Sequence, residues 1–555
     1  MNRKNTLFLI LIILALIILK IPHLDRSEFW VSGGDESRHA MNGVFIMDFI
    51  KDKPFSDPIS YTKNYYGRYP ALSLQRNPPL FYLVEAFFFV VLGITVYAAN
   101  MPILVLFIIG IFFWFKLLER KFNGEIAFLS CLLFIMLRNF LYYYNSVMLE
   151  VPLLSIMFIF LYFFDNYLEL KKLNSLSASV FFLIIAFLIN QKAIIFLFFT
   201  IIVLLLKKLE TSPKKHKILI GFFINLLALF FLIIIIFLSC HLFENNKLIY
   251  KATYLNCAVN LKSLFSVSRI AYYMKGIPKQ IGWILTAFLA MGIFDIVRKK
   301  QLKKYYFFLV LLFWIYALQI SIIKIESLRF VFYGLPFLTL LAVTGIDFFI
   351  NGIEYLNNKR ILVYLIIILL VSISGFNYRK PYINGYEEVA KYVIQHNKEN
   401  NPILTNINRN GNFIFFIRKY DTRKQQMVIR SERFLYLMTG YDVFITSYVK
   451  DENDILSKIN SAGIKYIVVD EDVSMKENKL LHKLLRNTSK FKIVYKKRID
   501  TNIPPHLDVR KKLVNEGALI TVYEYLESRA PEQKKLILPI TDIGVNFEVD
   551  IQNRK

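Results

Sequence analysis

The chain is 555 residues long, 56% hydrophobic and 16% aromatic, and its mean hydropathy is +0.45. This composition excludes an ordinary soluble protein and is typical of an integral membrane protein. The net charge of +27 does not indicate nucleic-acid binding, because basic clusters such as Lys207–Lys217 and Arg298–Lys304 lie between apolar runs. Such clusters are typical of cytoplasmic loops, which also attract anionic membrane lipids.

The first apolar run, Leu7–Leu19, follows a basic start and ends in Lys20-Ile21-Pro22-His23, with no small-residue cleavage site after it. The alternative is the apolar core of a signal peptide. The basic exit favours a retained signal anchor with its N-terminus in the cytoplasm.

Further apolar runs predict the other membrane spans, since a bilayer core about 30 Å thick needs roughly 20 apolar residues per helix. Basic loops mark the cytoplasmic side and leave the tail outside, so the total must be odd, and one segment within 79–118 must be re-entrant, split or non-spanning. The runs lie near 79–94, 101–118, 124–137, 147–164, 174–190, 192–206, 218–239, 281–297, 305–323, 330–350 and 361–376. The predicted fold class is an α-helical polytopic membrane protein of about 11 to 13 spans with a C-terminal extracytoplasmic α/β domain.

Two domains are predicted: a transmembrane domain at 1–376, with a first outer loop at 23–78, and a soluble extracytoplasmic α/β domain at 377–555. The second contains short bounded apolar clusters separated by polar segments, which is typical of a small α/β domain. It has no Gly-rich phosphate loop, so a structural or acceptor-recognition cap is the favoured interpretation. Its predicted strands and helices are, respectively, Ile403–Thr405, Phe413–Ile417 and Lys465–Val469, and Glu387–His396 and Asp454–Ala462.

An acidic pair, Asp35 and Glu36 in SGGDESRHAMNGVFIMDF, lies in the first outer loop. The stretch after it, Ala40–Ile50, is amphipathic and suited to lie along the membrane interface. The loop ends in YYGRYPALSLQRNPPLFY, where aromatic side chains accompany Arg68 and Arg76 ahead of a Pro pair that opens the next apolar run. A solvated loop is the alternative interpretation of the acidic pair.

Glu150, in YYYNSVMLEVPLL, precedes an apolar run at the predicted outer face, where a carboxylate is costly unless it is exposed or paired. Lys192, Lys324 and Arg329 lie on the same predicted side, and phosphates are natural partners for such cations. A phosphorylated lipid would combine an apolar tail with a head group for them. The alternatives are an ordinary helix-end role for Glu150 and snorkelling of the cations to the interface.

Together these features resemble the GT-C superfamily of membrane glycosyltransferases, particularly the branch of protein O-mannosyltransferases and lipid A aminoarabinose transferases. The resemblance rests on a pattern that covers most of residues 1–350. Its elements are the pair Asp35-Glu36 in GGDESRHA, the entrance Pro78-Pro79-Leu80, Glu150 before Val-Pro-Leu, Lys192 after a short span, and Lys324-x-x-x-x-Arg329 before an aromatic-Gly-Leu-Pro segment that includes Pro336.

The resemblance implies inverting transfer of a sugar from a polyprenyl-phosphate donor at the outer membrane face, to a lipid, protein or polysaccharide acceptor. Asp35, with Glu36 beside it, is implied as the general base or activator of an acceptor hydroxyl, and Glu150 would assist in the acceptor or cation site. Lys192, Lys324 and Arg329 would hold the leaving lipid phosphate.

The chain departs from the pattern at two places. Arg76-Asn77 stand where related transferases often have His or Lys before the Pro pair, so no metal or acid role is carried over to Arg76, and Glu150 stands where Asp is frequent. Arg68, Arg76 and His39 remain candidates for the acceptor or the loop. His39 and His241 could also hold a divalent cation, and metal binding stays open because a lone histidine is more often structural.

Two other function classes remain. A lipid or polysaccharide transporter would place charges well inside several spans, whereas the prominent charges here, apart from Glu85, lie near the predicted outer face. A catalytically silent assembly protein could keep the same fold, although Asp35, Lys192 and Arg329 count against it. The sugar, the acceptor, the polyprenyl chain length and the oligomeric state stay open.

Overall fold

The computed structural model describes residues 3–24, 27–31, 34–73, 77–210, 266–322, 326–376, 381–439, 444–471, 475–502, 517–531, 535–540 and 545–550. The predicted span 218–239 lies outside these residues, as do Arg76, His241 and Lys324.

Among the described residues up to Phe376 the regular structure is helical, and the helices follow the apolar runs of the sequence. A 3-10 turn, Gln191–Ala193, joins two of them, and a second, Leu328–Gly334, leads into a later one. The helices are α1 (Arg3–Leu24), α2 (Asp35–Asp52), α3 (Pro58–Arg68), α4 (Leu80–Leu92), α5 (Val96–Lys121), α6 (Gly124–Ile135), α7 (Arg138–Tyr144), α8 (Glu150–Leu170), α9 (Leu173–Ile189), α10 (Ile194–Glu210), α11 (Val267–Ile281), α12 (Trp283–Arg298), α13 (Leu302–Ile322), α14 (Leu335–Asn351), α15 (Glu354–Asn358) and α16 (Arg360–Phe376).

Several of these helices suit a membrane. Among the described residues, three helical stretches are long and apolar enough to cross one, namely α5, α8 and Leu328–Asn351. The number is five if each of two bent pairs is one span, namely α6 with α7, which meet at 69°, and α11 with α12, which meet at 115°. The helix α4 has 13 residues, and its length of about 20 Å is shorter than a bilayer core. The polytopic helical fold class is therefore confirmed, and the number of spans stays a prediction.

The helix of the first outer loop, α2, is largely buried within the protein. Within the amphipathic stretch Ala40–Ile50, every residue except Ile46, Phe49 and Ile50 is buried. One reason is the close approach of α4, since a Cβ on Gly43 would stand 2.7 Å from the Cβ of Glu85. The stretch thus packs against α4 and the C-terminal region, and its position at the membrane interface stays a prediction.

The C-terminal region, residues 381–550, is an α/β structure. Its main sheet has the strand order β3-β2-β6-β9-β7, in which β2 pairs in parallel with β3 and β6, and β9 pairs antiparallel with β6 and β7. The strands are β1 (Ile383–Asn384), β2 (Ile403–Asn406), β3 (Val428–Arg430), β4 (Tyr436–Thr439), β5 (Phe444–Ser447), β6 (Tyr466–Val469), β7 (Phe491–Arg498), β8 (Asp500–Thr501), β9 (Leu519–Tyr525), β10 (Lys535–Ile540) and β11 (Val545–Asp550). The helices are α17 (Tyr386–His396), α18 (Asn410–Tyr420), α19 (Ser431–Phe434), α20 (Glu452–Ala462) and α21 (Lys476–Leu484).

Most of the predicted elements of this region are present, and one is wrong. The predicted strands at Ile403–Thr405 and Lys465–Val469 correspond to β2 and β6. The run Phe413–Ile417 is part of the helix α18, although it was predicted as a strand. All five of its residues are buried, and a short run that is buried on every side carries no periodicity that separates helix from strand.

The C-terminal region docks on the first outer loop through buried charged contacts. Arg418 of α18 donates to both carboxylate oxygens of Asp48, from Nε at 2.8 Å and from Nη2 at 2.5 Å. Tyr69 donates its hydroxyl to Asp421 Oδ2 at 2.6 Å. The Arg418–Asp48 contact therefore joins α2, which carries the acidic pair, to the helix α18.

Candidate functional site

Four charged side chains from distant parts of the chain meet at one end of the helices. Arg329 donates from Nε to Glu150 Oε1 at 2.7 Å and from Nη1 to Asp35 Oδ2 at 3.2 Å. Lys192 Nζ lies 3.3 Å from the same Glu150 Oε1. The structure thus brings together two carboxylates and two cations that the sequence singled out separately.

The two carboxylates stand at the starts of helices. Asp35 is the first residue of α2, and Glu150 is the first residue of α8. Negative charge is favourable there because the backbone N–H groups of a first turn are unpaired and point toward it. The turn into α2 requires glycine, since Gly34 has a φ of 71°, a conformation that costs residues with a Cβ about 1 kcal/mol or more.

The two cations stand in 3-10 turns. The apolar helix α9 ends just before Asn190. The Oδ1 atom of Asn190 accepts the backbone N–H of Lys192 at 2.9 Å. Ser327 Oγ accepts the backbone N–H of Arg329 at 3.3 Å. In each case a short polar side chain stabilises the turn that directs the cation toward Glu150.

The two carboxylates differ in exposure, and this difference indicates different roles. The Glu150 side chain is 1% exposed, whereas Asp35 is 37% exposed. A buried carboxylate is stable only when it is paired, and Glu150 is paired with both cations. Asp35 faces a cavity of about 270 Å³ and can reach a ligand there. The cavity is lined by Asp35, Arg38, His39, Ser73, Asn77, Leu149, Asn190, Gln191, Lys192 and Arg329.

Comparison with known proteins finds a family model and solved structures that are similar to this chain. The family model described as dolichyl-phosphate-mannose-protein mannosyltransferase matches residues 76–239. No curated protein sequence matches the chain.

Solved structures match over almost the whole chain. ArnT from Cupriavidus metallidurans, bound to undecaprenyl phosphate, has a TM-score of 0.53 and 12% identity, with 92% of this chain and 97% of that chain covered. Its apo state has a TM-score of 0.55 and 12% identity, with 94% and 98% covered. The chain has the GT-C fold. The oligosaccharyltransferase from Archaeoglobus fulgidus in the apo form matches with a TM-score of 0.50 and 9% identity, covering 84% of this chain and 69% of that one.

The second member of the acidic pair, Glu36, binds backbone N–H groups and is not among the cavity-lining residues. Glu36 is 2% exposed. Its Oε2 accepts the backbone N–H groups of Trp30 at 2.8 Å and Val31 at 2.7 Å, and its Oε1 accepts that of Val147 at 2.7 Å. Burial raises the pKa of Glu36 to about 7, although the three N–H groups act in the opposite direction. Asp35 is therefore the member of the pair that is open to a ligand.

His39 lines the cavity but is tied to a neighbouring helix. Its Nδ1 lies 2.9 Å from the hydroxyl of Tyr82 in α4. Burial lowers the pKa of His39 to about 4, with the nearby Asp35 acting in the opposite direction, so the imidazole is neutral at pH 7. Within the described ranges, no three His, Cys, Asp or Glu side chains are grouped so as to hold a metal ion.

The remaining candidates are placed as follows. Arg68 donates to the backbone carbonyl of Lys424 at 2.5 Å and is not among the cavity-lining residues. Arg76 and Lys324 lie outside the described residues. Sequence reasoning missed Arg38, whose Nη1 lies 3.7 Å from Asp35 Oδ1, and Asn190. The sequence signal that could have identified Asn190 is the polar triplet Asn-Gln-Lys, which lies between two apolar runs.

Proposed function

We propose that the protein is an integral membrane glycosyltransferase that moves a sugar from a polyprenyl-phosphate-linked donor to a hydroxyl group of a lipid, protein or polysaccharide. The observation that carries the proposal is the cavity in which the exposed carboxylate of Asp35 lies beside the cations Lys192 and Arg329. The match of the fold to an ArnT bound to undecaprenyl phosphate supports the class of donor.

Asp35 is the proposed general base. Its carboxylate accepts the proton of the acceptor hydroxyl while the hydroxyl oxygen forms a bond to the anomeric carbon of the sugar. The bond from that carbon to the phosphate oxygen breaks, and its electron pair leaves on the polyprenyl phosphate. Attack from the face opposite the phosphate inverts the anomeric carbon.

Lys192 and Arg329 are the proposed binding groups for the leaving phosphate. Negative charge grows on the phosphate oxygen as its bond to the sugar breaks, and two fixed cations beside it stabilise that charge. Glu150 holds both cations through one oxygen, at 3.3 Å and 2.7 Å. We assign Glu150 to positioning these cations. Lys324 is proposed to assist them, from the segment between α13 and the turn that bears Arg329.

The reaction is proposed to occur at the outer face of a cell membrane. Basic loops such as Arg298–Lys304 support this orientation, since they are typical of the cytoplasmic side, and the site lies at the opposite ends of their helices. On this orientation residues 1–376 form the catalytic membrane domain, and residues 377–555 form an extracytoplasmic domain.

The test is transfer by the purified protein reconstituted in lipid. Radiolabelled polyprenyl-phosphate sugars are supplied with a cell-envelope acceptor extract, with and without a divalent cation. The wild type and Asp35→Asn are compared with Asp57→Asn. Asp57 is a carboxylate of the same loop that makes a local contact, accepting the backbone N–H of Ser60 at 3.0 Å.

Three outcomes separate the proposals. We expect transfer by the wild type and by Asp57→Asn, and a loss of about 100-fold or more for Asp35→Asn. Normal transfer by Asp35→Asn would remove Asp35 from the chemistry. Movement of labelled lipid across the bilayer, without transfer from any donor of a broad panel, would favour the transporter.

A further inference from the structure

We propose that the C-terminal region is a working part of the candidate site, because its Arg409 and the loop residue Glu36 together hold the strap, defined as residues 28–31, and so position Asp35 and Glu150. This inference rests on the proposed function and deepens it. It gives a role to Glu36, which is buried, and to the C-terminal region, whose sequence has no catalytic cluster of its own.

One end of the strap is attached to the C-terminal region. The backbone N–H of Glu28 donates to the carbonyl of Ile383 in β1 at 2.8 Å. The carboxylate of Glu28 accepts three backbone N–H groups where α17 begins, those of Gly385 at 2.9 Å, Tyr386 at 3.2 Å and Glu387 at 2.9 Å. Asn412 donates from Nδ2 to the carbonyl of Phe29 at 2.9 Å.

The other end of the strap is held from two sides by opposite charges. Arg409 donates from Nη1 to the carbonyls of Trp30 at 2.8 Å and Val31 at 2.9 Å. Glu36 accepts the N–H groups of the same two residues. The donors and the acceptors of both residues are therefore bound to buried charged groups, which make the stronger kind of hydrogen bond.

Glu36 connects the strap to the candidate site. It follows Asp35 directly in the chain, and both lie in the first turn of α2. Its second oxygen accepts the backbone N–H of Val147 at 2.7 Å, three residues before Glu150. A shift of the strap would move Glu36, and with it the backbone that carries both carboxylates of the site.

The C-terminal region also makes a close steric contact with the first turn of α2. Gly411, in α18, lies next to Ser37, which is two residues beyond Asp35. A Cβ on Gly411 would overlap Ser37 Oγ and stand 3.0 Å from Ser37 Cβ. Ser37 is fully buried, so a Cβ at position 411 would force Ser37 or one of the two helices to shift.

The functional consequence follows from the geometry that transfer demands. A base and a phosphate clamp act only when the reacting atoms are aligned, and a misplacement of about 1 Å can cost about 100-fold in rate. The strap has no side chain among the cavity-lining residues. Its role is therefore to position other groups, and its loss should lower kcat more than it raises KM.

The test compares three variants of the full-length protein in lipid nanodiscs. Arg409→Ala removes both hydrogen bonds that Nη1 donates to the strap, to the carbonyls of Trp30 and Val31, and Arg409→Lys keeps a positive charge with less reach. Arg433→Ala is the matched control, because Arg433 also joins the C-terminal region to the first loop, through the Tyr66 hydroxyl and ring, but does not touch the strap. The readouts are kcat and KM for sugar transfer, and hydrogen exchange of the amides of Trp30, Val31 and Val147.

We expect kcat to fall about 10- to 100-fold for Arg409→Ala, with a change of less than about threefold in KM for the donor and a partial rescue by Arg409→Lys. Exchange at the three amides should quicken in Arg409→Ala and stay unchanged in Arg433→Ala. Unchanged kcat and unchanged exchange in Arg409→Ala would overturn the proposal, as would equal losses in the two alanine variants.

Two further outcomes keep the test decisive. If Arg409→Ala does not fold, Gly411→Ala replaces it, and the same kcat loss and the same amide exchange are required of it. If the wild type transfers no sugar, the proposed function fails, and faster exchange in Arg409→Ala would still support the strap as the link between the C-terminal region and α2.

Discussion

Arg329 donates its Nε–H to Glu150 across 2.7 Å, although the two residues are 179 positions apart in the chain. Glu150 is almost completely buried, and the same oxygen also faces Lys192. Buried charges of this kind rarely add stability by themselves. The arrangement is better explained as a holder that keeps two cations at the cavity and leaves them able to bind an anion.

Glu150→Gln should therefore reduce both stability and activity. Removing one partner of a buried pair leaves the other uncompensated and costs about 3 to 5 kcal/mol. We expect a clear fall in thermal stability, and a fall in transfer that is larger than the stability loss explains. Glu125→Gln is the control, because Glu125 is also in a helical first turn but is 39% exposed in its ion pair with Lys4. Equal losses of stability and transfer in the two variants would contradict the role of Glu150 in positioning the two cations.

Arg329→Lys should not substitute for arginine. The guanidinium reaches Glu150 from Nε and Asp35 from Nη1, and a single ammonium group cannot reproduce this fork. We expect binding of undecaprenyl phosphate to weaken about 10-fold in Arg329→Lys and further in Arg329→Gln. Titration of the purified variants with the lipid, followed by tryptophan fluorescence, measures this. Equal affinity in all three proteins would remove Arg329 from the phosphate site.

The sequence predicted the helices better than it predicted their contacts. Apolar runs identify α8, α9 and α10 because each must bury or immerse its whole surface, and this requirement leaves a local signal. The pairing of Arg329 with Asp35, 294 positions away, leaves none, since it arises only when the helices pack. The resemblance to GT-C proteins supplied that grouping as a prediction.

Glu36 marks the limit of such reasoning. Beside Asp35 it reads as the second half of a catalytic pair, yet its carboxylate binds three backbone N–H groups. Adjacent residues at a helix start point in different directions, about 100° apart, so two neighbouring acidic side chains can have different surroundings. A single sequence does not distinguish them, because nothing local shows which one meets the strap.

Gly34 should be needed for activity as well as for folding. Its φ of 71° starts α2 immediately before Asp35, and a Cβ in that conformation costs about 1 to 2 kcal/mol. Gly34→Val should lose transfer, and Gly34→Asn should keep part of it, because Asn tolerates left-handed backbone. Gly93→Val is the control, since Gly93 has a φ of 76° and open space around it but lies at the far end of α4. It should lose stability with little effect on transfer by the folded fraction.

His39 should make the protein less stable in acid. Burial lowers its pKa to about 4, whereas an unfolded histidine titrates near 6.5. Between these values the unfolded chain binds more protons than the folded one, so stability rises with pH there and is lost as the pH falls from about 6.5 to 4. The loss is about 3 kcal/mol at most. Thermal unfolding in detergent at pH 7.5 and pH 5 measures the part of the loss that occurs above pH 5, about 2 kcal/mol.

His39→Gln isolates this contribution because glutamine does not titrate and can still meet the hydroxyl of Tyr82, which lies 2.9 Å from Nδ1. The variant should lose less thermal stability than the wild type between pH 7.5 and pH 5. His396→Gln is the control, since His396 is exposed and contacts the carbonyl of Tyr392 within its own helix. If His39→Gln kept the whole acid sensitivity of the wild type, the neutral imidazole at the edge of the cavity would not be its source, and other buried groups would have to carry it.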